Sequence, residues 1–275
     1  MSHPFERILL ATEHTEFDVG AERVAFELAK HCDKPLAAVL PVVTNPEYEI
    51  IAPQLVERSE HEAAAKINIL YDAAADAGLK FDVVARRGIE PFREIVQEAD
   101  ERKSDLIIIR RRGKRSFLAN LLIGEMVSKV VGHAPCSVLF VPRASQLWSR
   151  RILAAIDTSP NAEHVAHAAA RVAAECKLPL TLVSVLHHDT PELRARTEET
   201  MAHALTVASS AGVSAERLIT VGSPFEQILA SVKTLAADLI VVGRHGESSV
   251  IHTPFGGTTQ KVVGLTDVPV LVVRG

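Results

Sequence analysis

Asp238-Leu-Ile-Val-Val-Gly-Arg-His-Gly246 repeats an earlier part of the chain, Asp105-Leu-Ile-Ile-Ile-Arg-Arg-Arg-Gly113. Both stretches begin with an aspartate, continue as a short apolar run and end in a glycine. A short run that is apolar throughout and rich in β-branched residues is typical of a buried strand in a parallel sheet. The recurrence indicates that the chain contains two copies of one unit.

The repeat extends over nearly the whole chain, since further matches follow in the same order. Arg7 matches Arg151 and Lys129 matches Lys261, each within a similar apolar stretch. The offset between the copies falls from 144 residues at the first pair to 132 at the second. The first copy therefore carries extra residues, which we place around Thr44 to Gln54.

Length and composition agree with a duplicated globular protein. A chain of 275 residues is long enough for two domains, and we expect them at residues 1–145 and 146–275 with a linker around Pro142 to Ser149. A composition of 47% hydrophobic and 23% charged residues excludes a disordered chain or a coiled coil.

The net charge of the chain narrows the class of partner, and its cysteines narrow the class of fold. Thirty Lys plus Arg against 34 Asp plus Glu give a net charge of -4, which disfavours a nucleic-acid partner. The three cysteines form no C-x-x-C pair, which disfavours a disulfide scaffold or a zinc ribbon. The N-terminal residues lack a leader pattern, and no apolar run approaches the roughly 18 residues that cross a bilayer. We expect a cytoplasmic protein without a membrane segment.

Strand-like and helix-like segments alternate in both copies. This alternation predicts an α/β protein with two tandem, doubly wound, five-stranded parallel-sheet domains of Rossmann-like type. The predicted strands are Ile8–Ala11, Leu36–Leu40, Phe81–Ala85, Leu106–Ile109, Val138–Val141, Ile152–Ile156, Leu180–Leu186, Arg217–Val221, Leu239–Val242 and Val270–Val273.

A candidate ligand site follows the fourth strand of the second copy. Ligands of open parallel sheets bind beyond the carboxyl ends of the strands, at the point where the winding direction reverses. Gly243 and Gly246, then Gly256 and Gly257, allow a backbone to approach phosphate oxygens, and amides at a helix start point outward. Asp157, at the end of the first strand of this copy, would face the same crevice and suits a base or a ribose. A tight turn that only packs strand against helix is the alternative explanation for the glycines, and a helix N-cap is an alternative role for Asp157.

These residues resemble the universal stress protein family, and the whole chain resembles its tandem members from Arg7 to Arg274. The family pattern is G-x-x-G, nine residues, then G-[ST], after a D-L-I-V-V strand, and Gly243, Gly246 and Gly256 match it. The resemblance implies an adenine-nucleotide site with ATP or a relative, with or without magnesium. Gly257 departs from the pattern, since the family usually has Ser or Thr there, and Thr258 is adjacent to compensate.

The resemblance assigns roles along the second copy. Asp157 would contact the adenine–ribose end, Val185 would offer backbone groups to the adenine, and the glycine loop would wrap the ribose and phosphates. No catalytic residue and no metal ligand is assigned. The complete set of predicted nucleotide-binding residues is Asp157, Val185, Gly243, Arg244, Gly246, Gly256, Gly257, Thr258 and Thr259.

The first copy departs from the pattern at several positions of the same site. Ten residues instead of nine separate its two later glycines. The departing residues are Arg110 for the first glycine, Glu125 at the hydroxyl position, Pro41 at the position of Val185 and Glu13 at the position of Asp157. A carboxylate at the hydroxyl position would repel a triphosphate, and a proline has no N–H to donate. We therefore expect that the first copy does not bind ATP in the family's manner.

Other conspicuous residues receive simpler interpretations. The basic run Arg110 to Arg115 is expected to be a solvated loop left from a degenerate phosphate site, with an acidic partner, a membrane surface or nucleic acid as alternatives. The twelve histidines include no recognised zinc pattern and are expected on the surface. Cys32, Cys136 and Cys176 are expected to pack in the core.

Three functions remain open at this point. The first is a regulatory nucleotide-binding protein of the stress response, and the second is a slow ATP hydrolase or nucleotidyl-transfer enzyme on the same site. The third is an interaction protein that binds no nucleotide. A Walker-type triphosphatase is excluded because G-x-x-x-x-G-K-[ST] does not occur, and an α/β-hydrolase is disfavoured because G-x-S-x-G does not occur. The resemblance also implies that the two fifth strands pair within the chain, that the protein forms a homodimer and that it has regulatory protein partners.

Overall fold

The computed structural model describes residues 4–44, 46–111, 125–246 and 255–275, and in it all the strands form one sheet. The strands are β1 (Ile8–Ala11), β2 (Leu36–Val43), β3 (Phe81–Gly88), β4 (Leu106–Arg110), β5 (Ser137–Val141), β6 (Ile152–Ala155), β7 (Leu180–Leu186), β8 (Ala215–Val221), β9 (Leu239–Gly243) and β10 (Val270–Val273). The helices within the described ranges are α1 (Val19–Cys32), α2 (Pro46–Ile51), α3 (Pro53–Asp76), α4 (Pro91–Glu101), α5 (Glu125–His133), α6 (Ala162–Cys176), α7 (Pro191–Ser210), α8 (Pro224–Thr234) and α9 (Gly257–Leu265). The ten predicted strands are confirmed, with ends that differ by at most three residues.

The sheet has the order β3-β2-β1-β4-β5-β10-β9-β6-β7-β8. All pairs within each half are parallel, and the winding reverses between β1 and β4 in the first half (residues 1–145) and between β6 and β9 in the second half (residues 146–275). β5 and β10 pair antiparallel, with Leu139 opposite Leu271. The prediction that the two fifth strands pair edge to edge within the chain is therefore confirmed.

Helices cover both faces of the sheet because their apolar residues recur at helical spacing. α1, α3, α6 and α7 pack on one face, and α4, α5, α8 and α9 pack on the other. The apolar face of α1, formed by Ala21, Ala25, Leu28, Ala29 and Cys32, is fully buried. The matching face of α6 is buried except for the half-buried Cys176. Burial of this apolar surface is the main favourable contribution to folding.

Asp105 and Asp238, the first residues of the repeated stretch, hold the chain where it enters the sheet. The Asp105 carboxylate accepts hydrogen bonds from the backbone N–H groups of Glu6 and Arg7 at 2.8 and 3.1 Å. Asp238 accepts from three consecutive backbone N–H groups, at residues 149, 150 and 151, at 2.8–3.0 Å. Each carboxylate thus aligns the first strand of its half with the fourth.

The extra residues of the first half form the short helix α2, which has no counterpart between β7 and α7. This agrees with the position inferred from the change of offset. The long helices α3 and α7 are followed by Gly78 and Gly212 at φ of 69° and 75°, where a residue with a side chain would be strained. Thr190 caps α7, because its side-chain oxygen accepts from the backbone N–H of Leu193 at 3.3 Å.

None of the described helices is both long and apolar enough to traverse a lipid bilayer.

The three cysteines are predicted to be inert in the folded protein. Burial raises the pKa of Cys32 and of Cys136 to about 12, and burial also raises the pKa of Cys176. The thiolate is the nucleophile, so at pH 8 a thiol with a pKa of about 12 should be alkylated about a thousandfold more slowly than an unperturbed one. Mass spectrometry after a timed iodoacetamide pulse measures this. The urea-unfolded chain is the control, and native labelling at a comparable rate would contradict the prediction.

Candidate functional site

The carboxyl ends of β6 and β9 open a crevice at the point where the second half reverses its winding. Asp157 follows β6 and is held by Ser159, whose backbone N–H and hydroxyl donate to Oδ1 at 3.1 and 2.5 Å. Sequence reasoning missed Ser159, although Asp-x-Ser at a strand end is a signal for such an Asx turn. With Oδ1 held, the carboxylate keeps a fixed orientation toward the glycine loop.

Gly246 packs directly against this carboxylate. A Cβ atom placed on Gly246 would lie 2.7 Å from Oδ2 of Asp157, closer than real Cβ atoms approach other atoms. At Gly243 a Cβ atom would lie 3.3 Å from the His245 carbonyl oxygen and 3.4 Å from a methyl group of Val165. At both predicted glycines a side chain would therefore crowd the neighbouring atoms.

Hydrogen bonds connect the loop after β9 to the start of α9. The Gly256 N–H donates to the Arg244 carbonyl at 2.9 Å, and the Arg244 N–H donates to the Val273 carbonyl at 3.0 Å. The Thr259 hydroxyl donates to the Gly243 carbonyl at 2.8 Å, and Thr259 is only 6% exposed. The Thr259 hydroxyl is thus used inside the loop, and a contact of Thr259 with a nucleotide stays a prediction.

The other predicted residues lie around the same crevice. Gly257 is the exposed first residue of α9, and no atom of the described residues lies within 4 Å of a Cβ placed there. Thr258 is half-buried beside it. Val185 is half-buried on β7. It lies beyond Val183, the last residue of β7 that pairs with β6. The Arg244 side chain leaves the crevice and donates to the Gly132 carbonyl in the first half. The main chain of Arg244 lines the loop, and its predicted contact with a nucleotide stays a prediction.

The first half fills the equivalent crevice with an arginine. Arg110, which stands where the second half has Gly243, donates to Oε2 of Glu13 at 2.7 Å and to the Thr15 hydroxyl at 3.1 Å. Its Nε also lies 3.4 Å from Oδ1 of Asp18, a carboxylate that is 1% exposed. The guanidinium thus pairs with both carboxylates at the position where the second half has a glycine.

The basic run is not the solvated loop that the sequence predicted, as far as its described residues show. The side chains of Arg110 and Arg111 are only 20% and 10% exposed. Arg111 donates to the Gly264 carbonyl at 2.9 Å. Arg110 is the last residue of β4 and Arg111 follows it, so both side chains lie at the carboxyl end of the sheet, among groups that can accept their hydrogen bonds. Residues 112–115, and with them Gly113 and Gly124 of the degenerate motif, lie outside the described residues.

No three His, Cys, Asp or Glu side chains within the described ranges are grouped so as to hold a metal ion.

Replacement of Arg110 by Met is predicted to destabilise the protein by about 3 kcal/mol, since it leaves the buried Asp18 carboxylate without its cation. Urea unfolding followed through the fluorescence of Trp148, the one tryptophan of the chain, measures the change. Arg143→Met is the matched control, because Arg143 also stacks on Phe17 but pairs with an exposed carboxylate, and it should cost less than about 1 kcal/mol. Equal losses of unfolding free energy in the two variants would contradict a stabilising role for the pairing of Arg110 with the buried Asp18.

Comparison with known proteins identifies the family of the chain. The model of the universal stress protein family matches residues 4–142 and again 149–274. Universal stress protein Slr1230 of Synechocystis sp. is 29% identical over 171 residues, which span 62% of this chain and 58% of that protein. A crystal structure of a universal stress protein from Archaeoglobus fulgidus matches at 21% identity with a TM-score of 0.74, covering 99% of this chain and 97% of that one. A putative universal stress protein from Pseudomonas aeruginosa matches with the same TM-score at 19% identity, covering 98% and 93%. The chain belongs to the universal stress protein family, whose domain it carries twice.

Proposed function

We propose that the second half binds an adenine nucleotide, ATP or a relative, in the crevice between the carboxyl ends of β6 and β9. The protein would then serve as a regulatory nucleotide-binding module of the stress response. Binding of ATP would shift the population between two arrangements of the chain by its difference in affinity for them. Family membership supports this function, and so does the geometry of the crevice.

The observation that carries the proposal is the contact between Gly246 and Asp157. The absence of a side chain at Gly246 leaves the Asp157 carboxylate at the edge of the loop, held from behind by Ser159. A fixed carboxylate accepts hydrogen bonds well from hydroxyl or amino groups, such as those of a ribose or an adenine. It would repel phosphates, so the base or ribose would lie at this end.

The phosphate end would lie at the start of α9. Gly256 is the N-cap of this helix, and the backbone amides that follow it have no partner within the helix. The positive end of the helix dipole and these amides favour a phosphate group. Gly257 lacks the hydroxyl of the family pattern, so the site has one donor fewer there, and among the described residues no atom lies within 4 Å of a Cβ placed on it.

The contents of the first crevice support a single nucleotide per chain. The Arg110 guanidinium lies on Glu13, the residue equivalent to Asp157, and the Glu13 carboxylate is thereby engaged. A nucleotide entering there would have to break this ion pair and the contact with the buried Asp18. We therefore propose that the first half supports the assembly and does not bind ATP in the family's manner.

The remaining expectations are also proposals. We propose that residues 1–145 and 146–275 are the two domains, that the protein is cytoplasmic and that it associates into a homodimer with regulatory protein partners. Slow ATP hydrolysis with magnesium is the alternative activity for the same site. An increase in released phosphate over an Asp157→Ala variant would favour it.

Isothermal titration with ATP tests the site and its location. We expect one nucleotide per chain, and a loss of about tenfold to a hundredfold in affinity for Asp157→Ala, since a hydrogen bond to a charged group contributes roughly 1.5–3 kcal/mol. Gly246→Ala should also weaken binding, because its Cβ displaces the Asp157 carboxylate.

A matched variant serves as the control. Glu13→Gln changes the equivalent carboxylate of the first half and should leave ATP affinity unchanged. A stoichiometry of two, or equal losses in Asp157→Ala and Glu13→Gln, would place binding elsewhere. No heat and no thermal stabilisation at millimolar ATP would favour the interaction protein without a nucleotide.

A further inference from the structure

The two halves exchange equivalent arginines across the β5–β10 seam. Arg111 directly follows β4 and Arg244 directly follows β9, and the N–H of each donates to the last residue of the adjacent fifth strand at 2.8 and 3.0 Å. The Arg111 side chain donates to the carbonyl of Gly264, the penultimate residue of α9, at 2.9 Å. The Arg244 side chain donates to the carbonyl of Gly132, the penultimate residue of α5. Each half thus holds the C-terminus of a helix of the other half.

These contacts suit their buried surroundings. Burial lowers the pKa of both Arg111 and Arg244, and the positive charge of Arg274 adds to this effect at Arg244. A guanidinium that loses water must donate its N–H groups to acceptors, and the last carbonyls of a helix are unpaired and carry partial negative charge. A methionine of similar length would fill the space but donate no hydrogen bond.

Arg244 joins this contact to the candidate nucleotide loop. Its side chain is fixed in the first half, while its main-chain carbonyl accepts from Gly256, the N-cap of α9. The C-terminus of the same helix is held by Arg111 from the first half. The first half therefore contacts α9 at its C-terminus directly and at its N-terminus through one residue.

We infer that Arg244 is a positioning residue through which the first half sets the geometry of the nucleotide loop in the second half. This inference rests on the proposed function and deepens it, since it makes the degenerate half part of the nucleotide site. A nucleotide bound at the start of α9 changes the energy of the Arg244–Gly132 contact. By reciprocity, a change at the C-terminus of α5 changes nucleotide affinity.

The test measures ATP affinity and backbone protection in three variants. Arg244→Met, which keeps the length of the side chain but loses its donors, should bind ATP about tenfold more weakly, within the range typical of coupled sites. Amide hydrogen exchange in peptides covering residues 255–265, without ligand, should become faster. Arg244→Lys restores a cationic donor and should recover part of both losses.

Arg274→Met is the matched control. Arg274 also donates to a carbonyl of the other half, that of Pro135, but it lies at the end of β10 outside the loop. We expect this variant to retain both the ATP affinity and the protection of residues 255–265. Equal effects of Arg244→Met and Arg274→Met would mean that the Arg244–Gly132 contact only stabilises the β5–β10 seam, and they would overturn the inference.

The two proposals can fail separately. If the unmodified protein binds no ATP, the proposed function fails, while hydrogen exchange still reports on the loop. Faster exchange in Arg244→Met alone would then uphold the positioning role. Unchanged exchange together with unchanged affinity would refute it.

Discussion

The antiparallel pairing of β5 with β10 is the interaction on which the rest of the structure depends. It joins two five-stranded parallel sheets into one and covers two apolar edges that would otherwise pair with other chains. It also brings the C-termini of α5 and α9 within reach of the opposite half. Arg111 and Arg244 can contact the other half only because this pairing joins the two sheets edge to edge.

The duplicated unit supports two crevices of the same architecture with opposite contents. In the second half Gly246 packs directly against a held carboxylate, that of Asp157. In the first half the Arg110 guanidinium pairs with Glu13 and with the buried Asp18. An ion pair in a partly buried site is costly to separate, because removal of one charge strands the other away from water. The two halves thus share one fold but satisfy the equivalent carboxylates differently.

The same contacts give the two halves different structural roles. The proposed nucleotide site lies in the second half, and its loop is anchored in the first half through Arg244. The first half therefore has a structural role in the site even though we propose that it binds no ATP itself. Its helix α5 supplies the carbonyl that holds the loop residue, and its Arg111 holds the far end of α9.

Local residue patterns by themselves determined the fold class, the ten strands, the duplication and the place of the α2 insertion. They suffice because strand and helix periodicity, capping residues and glycines act over a few neighbours in sequence. The seam between the fifth strands was inferred from the family resemblance and is present in the structure. Only the tertiary structure decided the directions of individual polar side chains. Thr259 turns into the loop, Arg110 turns onto Glu13, and Arg244 reaches across 112 positions in sequence to Gly132. A hydroxyl or guanidinium takes whichever acceptor the packed chain brings near, and that acceptor is not encoded within its own segment.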